Sequence, residues 1–196
     1  KRKVAASVAV GMSVMMGVTP AFAANGTSNS EVYKEETVYV NAKASGKTDK
    51  VTVSNWLKNS GSVSGDLEDE STLSDIKNVK GDEKYTSDGD KLTWATDGED
   101  IYYQGTTDKK LPVSVKLNYY LDGKQMKPSE LKGKSGHLKI TVDYKNNEKQ
   151  NVSLDGKDTE VYTPFVMMTG MILPNETFSN VTIDNGKIIL MVIRIS

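Results

Sequence analysis

Between Val113 and Leu121 apolar and polar residues alternate without a break: Val113, Val115, Leu117, Tyr119 and Leu121 fall on one side, Ser114, Lys116, Asn118 and Tyr120 on the other. A period of two belongs to an extended chain with one dry and one wet face, because a helix would scatter these residues around its whole circumference. The same period recurs where Leu138, Ile140, Val142 and Tyr144 alternate with Lys139, Thr141 and Asp143, and where Val38, Val40 and Ala42 alternate with Tyr39 and Asn41. After Ala44-Ser45-Gly46 the pattern resumes at Val51 and Val53, so this stretch reads as a β-hairpin.

Turn chemistry supplies the spacing between strands. Asp88-Gly89 and Asp97-Gly98 separate short apolar runs at residues 92–94 and 101–103, and Asp-Gly tolerates the positive φ of tight hairpin turns. Three short antiparallel strands are therefore expected between Tyr85 and Tyr103. Asp122-Gly123 turns the next strand, and residues 128–131 suit a single helical turn. Residues 61–75, rich in Ser, Gly, Asp and Glu, read as a loop in which Ser71 or Thr72 caps a short helix over Leu73 and Ile76. Residues 161–173 are more continuously apolar, as in a strand covered on both faces, and residues 181–188 form a last strand around Asn185-Gly186. Long helices and βαβ alternation are missing from the pattern. The predicted fold class is all-β: one or more antiparallel β-sandwiches, an immunoglobulin-like arrangement among them, with one or two short helical turns.

The first residues follow a different logic. Lys1, Arg2 and Lys3 form a positive head, residues 4–18 an apolar middle, and Ala21-Phe22-Ala23 a small-residue site before Ala24. That layout predicts a secretory signal peptide over residues 1–23, cut after Ala23. A permanent anchor is the rival, but a span needs about 20 apolar residues, and this run is shorter and broken by Gly11 and Gly17. Residues 24–35 then read as a flexible spacer, 36–122 as a hairpin-rich β region, and 123–187 as a second sheet region, with a joint at 123–136. Two regions in one domain remain compatible with this division.

Of 25 basic residues, Lys1, Arg2 and Lys3 leave with the leader, so 22 remain against 26 acidic ones, a net charge of −4. Such a balance does not favour nucleic acid or anionic lipid. The chain has no cysteine, which rules out disulfides, thiolate metal sites and lipidation at cysteine.

Few residues carry the pattern of a chemical site. The acidic cluster Asp88, Asp90, Asp97, Glu99 and Asp100 invites a calcium reading, yet it lacks the alternating acids and distal Glu of a calcium loop. Asp-Gly turns account for them more simply, so no metal and no cofactor is expected. His137, the only histidine, has no nucleophile motif beside it. The aromatic residues are the stronger candidates. Trp56, Trp94, Tyr102, Tyr103 and Tyr120 lie in or beside strands, and adjacent Tyr pairs must send one ring to each face, where outward rings can stack on a sugar or a partner chain. Cross-strand packing is the alternative.

Several longer phrases, "ETVYVNA", "WLKN", "IKNVKGDE", "DIYYQGTTDKKLPVSVKLNYYLDGK", "LKGKSGHLKITVDYKNN" and "VYTPFVMMTGMILP", together give the chain a likeness. It resembles the N-terminal β-rich region of large, uncharacterised exported cell-envelope proteins of Gram-positive, Firmicutes-type gut bacteria. The resemblance covers nearly all of the chain to about Lys187. It implies that helical segments and a C-terminal membrane anchor follow in a longer parent protein, and it supplies no catalytic residues.

The end of the chain departs from that likeness. Residues 188–196 form an apolar burst, too short to span a membrane. Codons TCT GAT GGT AAT for an expected Ser-Asp-Gly-Asn turn, read one base late, give Leu-Met-Val-Ile, which matches Leu190, Met191, Val192 and Ile193. A frameshifted or truncated end is one explanation and a terminal strand the other. The expected function is that of an exported, non-enzymatic cell-surface module with a structural or protein-interaction role. A cell-wall or host glycan-binding module is the alternative, and an extracellular hydrolase is a third. The expected partners are envelope or host proteins or glycans, not nucleic acid, with membrane contact only through an anchor in the parent protein.

Overall fold

The computed structural model describes residues 10–20, 32–59, 63–154, 157–173, 175–184 and 187–192, with the backbone course alone for 10–20, 154, 184 and 187–192. The cleavage-site residues Ala21, Ala23 and Ala24 and the Asn185-Gly186 turn lie outside the described residues. In chain order the strands are β1 (Val10–Pro20), β2 (Tyr33–Ala42), β3 (Thr48–Lys58), β4 (Gly65–Glu70), β5 (Ser74–Lys80), β6 (Tyr85–Asp88), β7 (Lys91–Thr96) and β8 (Ile101–Thr106). There follow β9 (Val113–Leu121), β10 (Lys124–Met126), β11 (Gly136–Asn146), β12 (Lys149–Leu154), β13 (Lys157–Tyr162), β14 (Val166–Met171), β15 (Phe178–Asp184) and β16 (Lys187–Val192). The one helical element among the described residues is a 3₁₀ turn, Pro128–Glu130. The chain is all-β and every described ladder is antiparallel.

The turns follow local chemistry. β2 and β3 join through a tight turn in which Gly46 takes φ +80°, a conformation that a side chain resists. Asp122 and Gly123 both have positive φ, +49° and +82°, so β9 and β10 meet in the two-residue turn whose twist suits a hairpin. Asp122 also fastens the start of β11: its backbone N–H donates to the His137 carbonyl at 2.8 Å, and its Oδ1 accepts from the His137 backbone N–H at 2.9 Å.

Two expectations are corrected. Of the stretch 61–75 the described residues, 63–75, hold no helix; they carry β4 and the start of β5. Leu67 and Asp69 both point inward, a period of two that the polar composition hides. The Ser71 hydroxyl, instead of capping a helix, accepts from the Leu73 N–H at 3.3 Å and bends the chain between the two strands. Residues 161–173 likewise do not form one doubly covered strand. Pro164, which has no N–H to give a ladder, separates β13 from β14. β13 pairs with β12, β14 pairs with β1, and β14 leaves Val166 and Met168 about two-thirds exposed.

The strands divide among a six-stranded sheet in the order β14-β1-β2-β3-β8-β5, a five-stranded sheet β10-β9-β11-β16-β15, a three-stranded sheet β4-β7-β6, and the hairpin β12-β13. The expected trio between Tyr85 and Tyr103 forms, but the chain crosses between sheets at the second turn: β6 and β7 stay together while β8 joins β3 and β5. β9 and β11 pair across residues 123–136, so a ladder bridges the expected joint. β2 starts at Tyr33, and buried Val32 precedes it, inside the stretch expected to be a spacer. The apolar run Val10–Pro20 is a strand between β2 and β14. The tail enters β16, between β11 and β15.

The packing is sandwich-like. Leu67, Leu92 and Trp94 of the small sheet lie against Leu57, Ile101 and Tyr103 of the six-stranded sheet. Val38, Val40, Val51 and Val53 continue that inner face and meet Val115 and Leu117 of β9. Tyr119, Leu121, Leu138, Ile140 and Phe178, with Leu131 after the 3₁₀ turn, close the third cluster. Each buried large apolar side chain contributes roughly 1.5–3 kcal/mol.

Candidate contact face

Because β-strand side chains alternate, the inner face of β2, β3 and β8 fixes what their outer face presents. Leu57, Ile101 and Tyr103 point into the core, so Trp56, Lys58 and Tyr102 point out. Strand register aligns Glu35, Trp56, Tyr102 and Lys80 in one row across four strands. The Trp56 and Tyr102 rings stack with centroids 5.3 Å apart and planes 18° from parallel. The Lys58 ammonium sits 4.1 Å from the Trp56 ring centre, and Lys80 sits 4.3 Å from that of Tyr102. A positive charge over a ring face is attracted by the ring quadrupole, by about 0.5–1 kcal/mol at an exposed site.

Two carboxylates complete the row. The Trp56 Nε1–H donates to Asp100 Oδ2 at 2.8 Å, and Asp100 Oδ1 accepts from the Asn59 backbone N–H at 2.8 Å. Lys58 donates to Glu35 Oε1. The next row along the strands is polar, Thr37, Ser54, Gln104 and Lys77, and beyond it Tyr39 stands 45% exposed beside Thr52. The face is thus an aromatic pair with an ammonium over each ring, followed by hydroxyl and amide groups.

The other expected contact residues separate. Trp94 and Tyr103 are fully buried and are corrected from surface contacts to core. Their rings stack at 5.3 Å, and Tyr85 packs 4.7 Å from Trp94. The cause is parity: Tyr103 follows Tyr102 and must take the opposite side of β8. Tyr120 stands apart, on β9, half-buried with the Lys139 ammonium 4.5 Å from its ring centre.

Behind the face lies a buried polar cluster that the sequence does not announce. Asp69 accepts from Tyr103 Oη at 2.6 Å and from Lys34 Nζ at 2.8 Å. Burial, and next the charge of Asp69, push the Tyr103 phenol well above its usual range. Glu36, on the same inner side of β2 as Lys34, has its carboxyl pKa raised chiefly by burial, with Lys34 opposing. Tyr119, on the other sheet, is pushed up to about 12 by burial and donates to the Ala44 carbonyl at 2.7 Å. The period-two position of Asp69 in "DLEDE" was the one available signal for this cluster.

The acidic residues do not converge. Asp88 and Asp90 sit at one end of β7, Asp97 and Glu99 at the other, and Asp100 is engaged by Trp56 and Asn59. Among the described residues no group of three or more potential ligands is placed to hold a metal ion. His137 is exposed, and its backbone N–H serves the Asp122 bridge. A cavity of about 550 Å³ opens between the β2–β3 turn, residues 106–111 and β9. Its walls bring Asp49 and Asp108, both exposed, together with Lys50, Lys109 and Lys110. Glu36 is not among the residues that line this cavity.

Compared with known proteins, the chain matches no family, no curated sequence and no solved structure.

Proposed function

We propose that the chain is an exported module of a bacterial cell surface that works by protein contact through the outer face of β2, β3, β8 and β5, without catalysis. The observation that carries this is the stacked Trp56–Tyr102 pair with Lys58 and Lys80 over its rings. Large aromatic rings held at a sheet surface are what interfaces use as anchors, since they offer contact area at little conformational cost. Export is supported by the basic head, apolar run and Ala-Phe-Ala site of residues 1–24.

The second reading, glycan binding on the same face, is favoured by the presence of two near-parallel rings. It is weakened by their stacking on each other and by the ammonium over each, since a sugar needs an open ring face. Adhesion of the purified chain to envelopes of the producing cells separates the two. Protease treatment of the envelopes abolishes adhesion and periodate oxidation of their glycans leaves it intact if the contact is protein. The reverse result transfers the face to glycan binding.

A further inference from the structure

We propose that the cavity between the β2–β3 turn, residues 106–111 and β9 binds a free aliphatic carboxylate, its hydrocarbon chain on the cavity floor and its charge at the lysines of the rim. The inference does not depend on the contact reading: the cavity opens on the inner side of β2 and β3, away from the outer row.

The floor begins with an exception in the packing of β9. Val113, Tyr119 and Leu121 are buried, whereas Val115 and Leu117, on the same side of the strand, stay half-exposed. A dry face left partly uncovered marks space that the chain does not fill itself, and both residues line the cavity together with half-buried Leu111. Val40 and Val51, inward positions of the opposing sheet, form the facing wall. At about 550 Å³ the cavity falls within the range of small-ligand sites. No aromatic ring stands among the described residues that line it, so its apolar surface suits an aliphatic body.

Its walls are tied in advance. The Tyr119 phenol of β9 donates to the Ala44 carbonyl in the β2–β3 turn at 2.7 Å. The loop is held at both ends: the Lys109 backbone N–H donates to Thr107 Oγ1 at 3.1 Å, and the Pro112 carbonyl accepts from the Asn147 backbone N–H at 2.9 Å. Walls already fixed need little ordering on binding, which favours affinity for a small ligand.

The rim selects the charge. Lys50, Lys109 and Lys110 stand exposed around the opening, against Asp49 and Asp108. Asp49 is paired with Lys43 at 3.1 Å, so ammonium groups prevail there although the chain as a whole carries a net charge of −1. The charge of Lys109 also reaches inward, where it opposes the rise in the Glu36 carboxyl pKa. A cation would be repelled at this mouth, and an anion without hydrocarbon would leave the floor uncovered. A carboxylate on an aliphatic chain meets both surfaces.

Octanoate is the probe, titrated by calorimetry into the purified chain at low salt, with octanol as its uncharged counterpart. The expected result is one saturable site for octanoate, with octanol bound about tenfold more weakly. The double variant Lys109→Ala, Lys110→Ala should weaken octanoate about tenfold and leave octanol unchanged. Ala42→Phe, which places a ring in the cavity from β2, should abolish binding of both while the chain still melts cooperatively. Absence of saturable octanoate binding, equal affinity for octanol, or octanoate affinity unchanged in the double variant overturns the proposal, as does unchanged affinity in a folded Ala42→Phe chain. The lysine variant alters exposed side chains alone, so the test stays decisive should Ala42→Phe fail to fold.

Discussion

Two aromatic pairs sit back to back across β8. Trp94–Tyr103 and Trp56–Tyr102 have the same ring types and the same 5.3 Å centroid separation, yet one is sealed in the core and the other faces outward. The inner pair is closed off by Tyr85 and by Asp69, whose carboxylate is itself held by Lys34. The outer pair is half-buried and carries an ammonium over each ring, Lys58 being paired in turn with Glu35. Identical chemistry thus serves packing on one side of a strand and remains available for contact on the other, and the side is decided by one residue of parity.

Breaking the inner pair should show the largest effect. Trp94→Ala is expected to cost about 4 kcal/mol in urea denaturation, through lost burial and the cavity left behind, while Trp56→Ala costs about 1 kcal/mol. Equal losses would remove the distinction. Next, Asp69→Ala should cost about 3 kcal/mol, because it leaves Lys34 and the Tyr103 hydroxyl without their buried partner.

Glu36 sharpens the comparison through pH. Its carboxyl pKa is raised in the folded chain above the ordinary 4.5, so the folded state holds the proton more tightly than the unfolded one. Its contribution is then fully present below pH 4.5 and is lost as pH rises through the folded value. Glu36→Gln should accordingly stabilise the chain at pH 7 more than at pH 4, read as the difference in melting temperature between the two. The smallest effect belongs to the outer row: Lys80→Ala should cost about 0.5 kcal/mol, the low end of what an ammonium over an exposed ring contributes.

Much of this architecture was legible in the residues. β2, β3, β9 and β11 announce themselves because each buries one face only, which writes a strict two-residue period into the sequence. β4 was hidden because its inward positions are Leu67 and Asp69, a buried acid that reads as solvent-exposed until its partners Lys34 and Tyr103, some 35 residues away, are known. β14 was overread because its exposed Val166 and Met168 look like core. For the candidate face, the adjacent tyrosines showed that one ring of each pair must point outward. Which ring did so depended on the sheet that β8 joins, and an Asp-Gly turn carries no information about whether the chain stays in one sheet or crosses to another.

The claim that the outer row is a contact surface is tested most directly by the double variant Trp56→Ser, Tyr102→Ser, assayed for adhesion to envelopes of the producing cells and for melting temperature. The expected result is a loss of adhesion of about tenfold or more with the chain still cooperatively folded. Adhesion equal to that of the unaltered chain would contradict it.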